Sequence, residues 1–364
     1  MSTRAIHQFV PVVEPGAVAA HTRAARDLIR EAGYASEIFA SEVHPACAGW
    51  GVRPFRDYGR SVRAHADDVL VYQMAIGSVV ADFLLGRRER LVVNHHNLTP
   101  LRYFDGWEPV AAGGVVWGRH QLRAFAGRAV LGIAVSAYNE HDLVEAGFRE
   151  TTVAPFLVDP DLATQPPDDE VVTRLRAARE RGGADWLFVG RIAPNKAQHD
   201  LIKALAVYRR RHDPEARLHL VGGGEGGRYG RTLRQFADAL GLSDAVALPG
   251  AVDPAALAAY YACADVFVST SEHEGFCVPL VEAMHHDVPV VAHAAAAVPE
   301  TLGDAGLLLD VKDPYTVATA VSRVLGDERV RAHLVARGRV RREQFALDRT
   351  GPRFVEALRT AVVP

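Results

Sequence analysis

Short runs of apolar, β-branched residues alternate with longer amphipathic stretches along almost the whole chain. Apolar runs of roughly four to eight residues predict buried strands, and apolar residues that recur every three or four positions predict helices. Strands that alternate with helices in this way are typical of βαβ units and parallel sheets. The pattern therefore predicts an α/β protein.

The alternation forms two series separated by a stretch, 155–170, that is rich in Pro and Asp and that we interpret as a linker. The first series predicts strands at 6–13, 69–73, 91–95 and 130–135, with helices over 17–32 and 107–126. The second predicts strands at 186–189, 218–221, 246–248, 266–269 and 288–292, with helices over 200–211, 229–240, 254–262 and 279–286.

Each series is long enough for a domain of its own. We expect two Rossmann-like, doubly wound parallel-sheet domains, residues 1–160 and 161–345, and a C-terminal helix over 346–364 that packs back toward the first domain. Two such domains facing across a cleft place a ligand at the carboxyl ends of their strands.

Composition narrows the class of protein. Of the 364 residues 49% are apolar, and no apolar run reaches the length of about 18 residues that a transmembrane helix needs. The net charge of −3 and the scattered basic residues argue against nucleic-acid binding. Cys47, Cys263 and Cys277 lack metal-site spacing, so we expect a cytoplasmic protein, and peripheral membrane contact stays open.

The most specific segment is Ser-Glu-His-Glu-Gly-Phe-Cys-Val-Pro-Leu-Val-Glu-Ala-Met at 271–284, directly after a predicted strand. Gly275 allows a tight turn, and Pro279 suits the first turn of a helix. Backbone N–H groups of Phe276, Cys277 and Val278 would then point at an anion. Glu274 and Glu282 supply acceptors for hydroxyl groups. The segment therefore suits a sugar joined to phosphate.

The spacing of Glu274 and Glu282, with Pro-Leu-Val-Glu-Ala-Met following, resembles the donor-site signature of glycosyltransferase family 4, the retaining GT-B enzymes of glycosyl transferases group 1. Gly190-Arg191-Ile-Ala-Pro-Asn-Lys196 resembles a second motif of that family. The likeness runs from about residue 186 to 309 and includes the segments 220–223, 248–252, 260–266 and 298–301.

The resemblance assigns roles to these positions. In that family the residue that matches Glu274 holds sugar hydroxyls, and the one that matches Glu282 holds the ribose. Arg191 and Lys196, after Gly190, match the pair that grips the diphosphate, where fixed cations stabilise the charge that develops on the leaving group. Val252 lies in the loop whose backbone meets the base. Lys196 gains weight because only Lys203 and Lys312 are also lysines.

The first half carries weaker motifs. Gly16 matches a glycine loop of the family that approaches the donor phosphate, although the usual second glycine is missing. Asn94-His95-His96-Asn-Leu-Thr-Pro100 resembles a strand-to-loop motif that places His96 near the donor sugar, with His95 facing the other way. A buried histidine bonded to backbone, or a register shifted to His95, are the alternatives.

Three features depart from this picture. Asp159-Pro160-Asp161 is an Asp-x-Asp sequence of the kind that binds a metal–diphosphate in another glycosyltransferase fold, and we interpret it as a turn. His285-His286 has no second cluster to complete a metal site. The family often has Gly where this chain has Asp287, which indicates a different local turn.

Together the motifs predict a metal-independent, retaining glycosyltransferase that uses a nucleotide-diphosphate sugar and no cofactor. A same-fold epimerase or phosphorylase and a non-catalytic nucleotide-sugar-binding partner are the rivals. The Gly-x-Gly-x-x-Gly sequence at 222–227 makes a nicotinamide dehydrogenase the weakest of them.

Overall fold

The structure, a computed structural model, describes residues 5–158, 165–180 and 182–362. The chain divides into two compact units. The first comprises Met1–Asp105, Pro109–Asp159 and Phe345–Pro364, and the second comprises Gly106–Glu108 and Pro160–Gln344. The division falls inside the stretch interpreted as a linker. The Asp-x-Asp sequence at 159–161 lies outside the described residues.

The first unit is built on a seven-stranded sheet in the order β3-β2-β1-β4-β5-β6-β7, in which every pair of neighbours is parallel. Its central strands β1, β4 and β5 are buried except at Val12 and Arg90, because helices cover both faces of a parallel sheet. The strands are β1 Ile6–Val13, β2 Ile38–Val43, β3 Arg53–Pro54, β4 Val69–Met74, β5 Arg90–His95, β6 Leu131–Ala134 and β7 Thr151–Val153.

The helices of the first unit are α1 Ala17–Glu31, α2 Val79–Leu85, α3 Pro109–Ala126, α4 Ala137–Ala146 and, from the end of the chain, α13 Leu347–Val362. Three short 3-10 helices span Pro45–Trp50, Phe55–Asp57 and Leu101–Tyr103. Ser78 and Ser136 cap α2 and α4 through their hydroxyl groups. Helix α13 packs on α1, where Gly351 meets the side chain of Leu28.

The second unit repeats the plan with a six-stranded parallel sheet in the order β10-β9-β8-β11-β12-β13. Its strands are β8 Asp185–Val189, β9 Arg217–Val221, β10 Val246–Gly250, β11 Val266–Ser269, β12 Val290–His293 and β13 Gly306–Leu309. Its helices are α5 Asp169–Arg179, α6 Gln198–Arg211, α7 Arg228–Ala239, α8 Pro254–Cys263, α9 Val278–His285, α10 Val298–Leu302, α11 Pro314–Gly326 and α12 Glu328–Arg342.

Two further 3-10 helices, Pro194–Lys196 and Glu343–Phe345, lie in or beside the second unit. Two apolar clusters form the core of this unit, one on each face of its sheet, and Trp186 and Leu187, neighbours on β8, belong to different clusters. Adjacent strand residues face opposite sides, which explains that division. Within the described residues, no helix combines the length and the apolar character needed to cross a membrane.

The α/β prediction is confirmed, with differences at the edges of the sheets. Strands β2, β3, β7 and β13 have no counterpart among the predicted strands, and β7 shows that the chain adds a strand after 130–135. Half of β2 is exposed and β7 and β13 are only half-buried, so these strands lack the continuous apolar run of a central strand. Glycine and leucine, moreover, give β13 little β-propensity.

The helix predicted over 107–126 begins only at Pro109. Trp107 packs its ring against Tyr229 of the second unit, with centroids 5.3 Å apart, and Arg228 donates a hydrogen bond to the carbonyl of Gly106 at 2.6 Å. The segment Gly106–Glu108 therefore belongs to the second unit although the helix that follows it belongs to the first. A long-range contact of this kind leaves no periodic signal.

Candidate functional site

The two motifs of the second unit meet because they follow neighbouring strands. Strand β8 ends at Val189 and leads into the Gly190–Lys196 segment, and β11 ends at Ser269 and leads into the segment 270–277. The two strands pair in parallel, so their carboxyl ends lie at the same edge of the sheet. That edge is where open α/β sheets bind ligands.

An ion pair joins the two segments. The ammonium of Lys196 lies 2.6 Å from the Oε2 atom of Glu274, and the side chains are only 20% and 8% exposed. Backbone contacts hold the same junction, since Glu272 donates its N–H to the carbonyl of Asn195 at 2.8 Å, and Asn195 Nδ2 donates to the carbonyl of His273 at 3.1 Å. The loop after β8 and the loop after β11 are therefore one structural unit.

All three lysines of the chain cluster around this junction. Lys203 of α6 lies 2.9 Å from Asp200, and Lys312 pairs with both Asp200 and Glu272. Apart from histidine, every other basic side chain of the protein is an arginine. The lysines therefore occur only near this junction. A lysine ammonium is a compact charge with three donors, which suits bridging between carboxylates.

Helix α9 begins in a strained turn. Cys277 is its N-cap residue and adopts the left-handed conformation, φ 73°, which costs a non-glycine residue about 1–3 kcal/mol. The preceding residue is tied down, because Thr301 donates its hydroxyl to the carbonyl of Phe276 at 2.5 Å. Burial, with Glu274 nearby, raises the pKa of the Cys277 thiol well above its ordinary value, which favours the thiol over the thiolate.

Glu282 lies in the second turn of α9 and is buried. Tyr261 of α8 donates its hydroxyl to Glu282 Oε2 at 2.6 Å. Burial raises the pKa of Glu282 above its ordinary value of 4.5, and the tyrosine hydroxyl opposes this rise only in part. Both glutamates of the motif are thus buried, whereas carboxylates are usually exposed.

Glu282→Gln is expected to flatten the pH dependence of stability. Because the folded-state pKa of Glu282 lies above the unfolded value, the folded chain binds the proton more tightly, and stability falls as the pH rises from the unfolded pKa of 4.5 through the folded one. Unfolding midpoints of wild type and variant measured between about pH 5 and 8 test this. Tyr261→Phe should steepen the fall, and a parallel response of all three proteins contradicts the assignment.

The glycines of the second motif pack against one another. Gly190 donates its N–H to the carbonyl of Val221 at 2.9 Å, and Ile192 donates to the carbonyl of Gly223 at 2.8 Å. Gly222 has φ +144°, and a β-carbon there would overlap the carbonyl oxygen of Gly190. The glycine-rich loop after β9 therefore packs against the start of the Gly190–Lys196 segment and supports it. This close packing accounts for the glycines without a bound dinucleotide.

Arg191 is half-exposed and pairs with Glu108. Its backbone is held in place by Gln198 Nε2, which donates to the Arg191 carbonyl at 2.9 Å. The guanidinium has five N–H donors, so pairing with one carboxylate leaves capacity for an anionic ligand. Val252, the residue expected at the base, is half-buried, and its side chain packs on one of the two apolar clusters of the second unit.

The two first-unit positions lie at strand ends. Gly16 is the N-cap of α1, with φ 155°, a backbone conformation that side-chain-bearing residues rarely adopt, and a β-carbon there would meet open space. His96 directly follows β5 and is buried. Its backbone N–H donates to the carbonyl of Met74 at 2.8 Å, and its carbonyl accepts from Asn139 Nδ2 at 2.8 Å.

The rings of His95 and His96 contact different elements. His95 Nε2 lies 3.2 Å from Asp142 of α4, which also pairs with Arg119. His96 Nε2 lies 2.6 Å from the side-chain amide of Gln73, so its ring is bonded to a side chain rather than to backbone. Burial, together with the neighbouring histidines, holds the pKa of His96 well below its ordinary value.

Several partners were missed because contact, not motif, defines them. Tyr261 on Glu282, Glu108 on Arg191, and Gln73 on His96 come from distant parts of the chain. Asn195 directly precedes Lys196, and Tyr261 lies in the segment 260–266 that resembles the family. Their positions in these motifs were the only indication in the sequence that they contact the site. No sequence feature indicated that Glu108 or Gln73 contacts a site residue, because a single polar residue beside an apolar run is common.

Two of the departures have structural explanations. Asp287, where the family often has glycine, adopts φ 56°, and Asp tolerates this left-handed conformation better than most residues. Its carboxylate accepts from Arg339, which lowers its pKa. The ring of His286 stacks on Tyr261 at 5.0 Å. Across the described part of the chain, no three or more His, Cys, Asp or Glu side chains are grouped to hold a metal ion.

The two parallel sheets define an α/β protein of the GT-B class. The structure is similar to that of Anabaena HepE in complex with UDP-glucose, with a TM-score of 0.78 and 19% sequence identity. The superposition covers 98% of this chain and 99% of the HepE chain. Sucrose-phosphate synthase from Thermosynechococcus elongatus superposes over 98% and 99% with a TM-score of 0.75 at 20% identity. At these identities the likeness establishes the fold.

Sequence comparison finds a matching family model and named relatives. Residues 176–341 match the model of the family described as glycosyl transferases group 1. A D-inositol 3-phosphate glycosyltransferase from Geodermatophilus obscurus is 34% identical over 255 residues, and a GDP-mannose-dependent alpha-(1-6)-phosphatidylinositol monomannoside mannosyltransferase from Mycolicibacterium smegmatis is 34% identical over 192. The matches span 68% and 50% of this chain but 55% and 48% of those relatives.

Proposed function

We propose that this protein is a retaining glycosyltransferase that moves a sugar from a nucleotide-diphosphate sugar to an acceptor hydroxyl without a metal ion. The observation that carries the proposal is the buried Lys196–Glu274 pair at the carboxyl ends of two adjacent strands. A cation and a sugar-binding carboxylate at such an edge match the two halves of a sugar diphosphate.

Different residues are proposed to bind different parts of the donor. Lys196 and Arg191 carry the positive charge that a diphosphate leaving group requires, and this supports chemistry without a metal. Glu274 and Glu282 offer acceptors to the hydroxyls of the sugar and of the ribose. Glu274 is engaged by Lys196, which supports a positioning role for this carboxylate rather than a role as covalent nucleophile. Within the first unit, we propose His96 and Gly16 as the substrate-binding positions.

The names of the relatives suggest the first substrates to test. Relatives are named for D-inositol 3-phosphate and for GDP-mannose with a phosphatidylinositol mannoside, and HepE was solved with UDP-glucose. We therefore propose a uridine or guanosine diphosphate donor and an inositol-type hydroxyl as acceptor. An epimerase of the same fold would convert the donor with no acceptor present, and a binding partner would convert nothing.

Arg191→Ala is expected to weaken the binding of a nucleoside diphosphate by about tenfold or more, since a charge-assisted hydrogen bond contributes about 1.5–3 kcal/mol. Isothermal titration calorimetry with UDP and GDP, in the presence and absence of a chelator, measures this. Arg211→Ala is the matched control, because Arg211 is exposed at the far end of α6 and stacks on Tyr315. We expect the control and the chelator to leave the affinity unchanged.

The outcomes separate the parts of the proposal. Absence of binding to any nucleoside diphosphate contradicts the proposed donor site as a whole. Binding that needs a divalent cation contradicts metal independence alone. Equal affinity of Arg191→Ala and wild type removes Arg191 from the diphosphate grip. Retention is read separately, from the anomeric configuration of the product by proton NMR.

A further inference from the structure

A file of buried polar side chains runs beneath His96 in the first unit. Gln8 of β1, Gln73 of β4, Asn94 of β5 and His21 of α1 are all fully buried. Neighbouring groups are within hydrogen-bond distance, with 2.5 Å between the amides of Gln8 and Gln73, 2.8 Å between those of Gln73 and Asn94, and 2.8 Å between Asn94 and His21 Nε2. The file ends at His96 Nε2, 2.6 Å from Gln73.

The direction of the hydrogen bonds is fixed at one group in this file, the ring of His21. The backbone N–H of Leu157 lies 3.1 Å from His21 Nδ1. A backbone amide always donates, so Nδ1 must accept and carries no proton. The ring proton of His21 is therefore on Nε2. Burial supports a neutral ring by lowering the pKa of His21 to about 3.

This proton sets the direction of every bond that follows. An amide oxygen and nitrogen have nearly the same shape, so their orientation follows from the neighbouring donors and acceptors. If Asn94 turned its Nδ2 atom toward His21, two donors would face each other at 2.8 Å. Asn94 must instead present its oxygen to His21. The same oxygen then requires a donor from Gln73.

Gln73 consequently presents its Nε2 group to Asn94, and the second hydrogen of that group points at His96 Nε2. The oxygen of Gln73 accepts from the amide of Gln8. His96 Nε2 is then an acceptor, which leaves the ring proton on Nδ1 because a neutral imidazole has one donor and one acceptor. Burial favours the neutral form of His96 as well.

We infer that Leu157, His21, Asn94 and Gln73 hold His96 in the Nδ1–H tautomer and thereby make it a hydrogen-bond donor. Its Nδ1 atom is buried and has no hydrogen-bond partner among the residues that the structure describes. His96 therefore calls for an oxygen lone pair. If the proposed function holds, that oxygen belongs to a sugar substrate, and His21, Asn94 and Gln73 are positioning residues for His96.

Nitrogen NMR reads the tautomer directly. We would label the nucleotide-free protein with ¹⁵N-histidine, record long-range proton–nitrogen correlations near neutral pH, and assign His96 by the loss of its pattern in His96→Gln. The expected pattern has a protonated Nδ1 and a bare Nε2. The opposite pattern, or a doubly protonated ring, overturns the inference.

Two isosteric variants test whether the hydrogen bonds through Asn94 and Gln73 set the tautomer of His96. Asn94 accepts twice, so Asn94→Asp should keep the His96 pattern. Gln73 donates twice, so Gln73→Glu should move the His96 proton to Nε2, where it faces the new carboxylate. With the reverse bond directions, Asn94→Asp would disturb His96 and Gln73→Glu would leave it unchanged, and that result contradicts this role of the two amides. If neither variant folds, the wild-type spectrum alone decides.

The experiment separates this inference from the proposed function. The tautomer is read without nucleotide, so a protein that binds no nucleoside diphosphate can still show the Nδ1–H pattern. Conversely, a protein that binds the nucleotide and shows the Nε2–H pattern keeps the proposed function and loses the inference.

Discussion

Lys196→Ala is expected to lower kcat/KM for sugar transfer by about 10²- to 10³-fold, the usual effect of removing one group that stabilises transition-state charge. The substitution removes the ammonium that the proposed function assigns to the diphosphate. The carboxylate of Glu274, only 8% exposed, is also left without its ion-pair partner, and breaking a buried pair in this way costs about 3–5 kcal/mol of stability. Steady-state kinetics with the donor identified by calorimetry, and thermal unfolding of the same samples, measure both effects.

Two further variants separate catalysis from stability. Lys196→Ala combined with Glu274→Gln removes the unpaired charge, so we expect it to recover most of the stability and none of the activity. Lys203→Ala removes a lysine of the same cluster, but its partner, the buried Asp200, keeps its ion pair with Lys312, so we expect a smaller loss of stability than for Lys196→Ala. Full activity of the double variant would exclude the proposed role of this pair.

Gly222→Ala is expected to destabilise the second unit by about 3 kcal/mol or more, since it adds backbone strain to a steric overlap. The added methyl group would press on the carbonyl of Gly190, which immediately precedes Arg191. The substitution should therefore weaken nucleotide binding as well as folding, although Gly222 donates no side chain to the site. Chemical denaturation and calorimetry report the two effects.

Gly226→Ala is the matched control for this glycine. It lies in the same loop, and a β-carbon there would have no atom within 4 Å. We expect unchanged nucleotide affinity and a change in stability of no more than about 1 kcal/mol. If the two alanines behaved alike, the close approach of Gly222 to Gly190 would not be what positions Arg191.

The sequence by itself determined the α/β class, the two series of strands and helices, and the segments that meet at the site. Strands such as β11 and helices such as α6 were visible because burial of one face imposes a short period on neighbouring residues. The motif around Glu274 and Glu282 was visible because a turn, a helix start and two carboxylates stand within a few positions of one another. All of these are local features.

The tertiary structure decided which groups pair. Lys196 with Glu274, Tyr261 with Glu282, Glu108 with Arg191, and Gln73 with His96 are contacts between distant parts of the chain. Sheet order brings the ends of β8 and β11 together, and helix packing buries both glutamates. A carboxylate in a loop has the same letter whether it is solvated or paired. Its environment, and with it the pKa and the chemistry, arises only when distant segments exclude water around it.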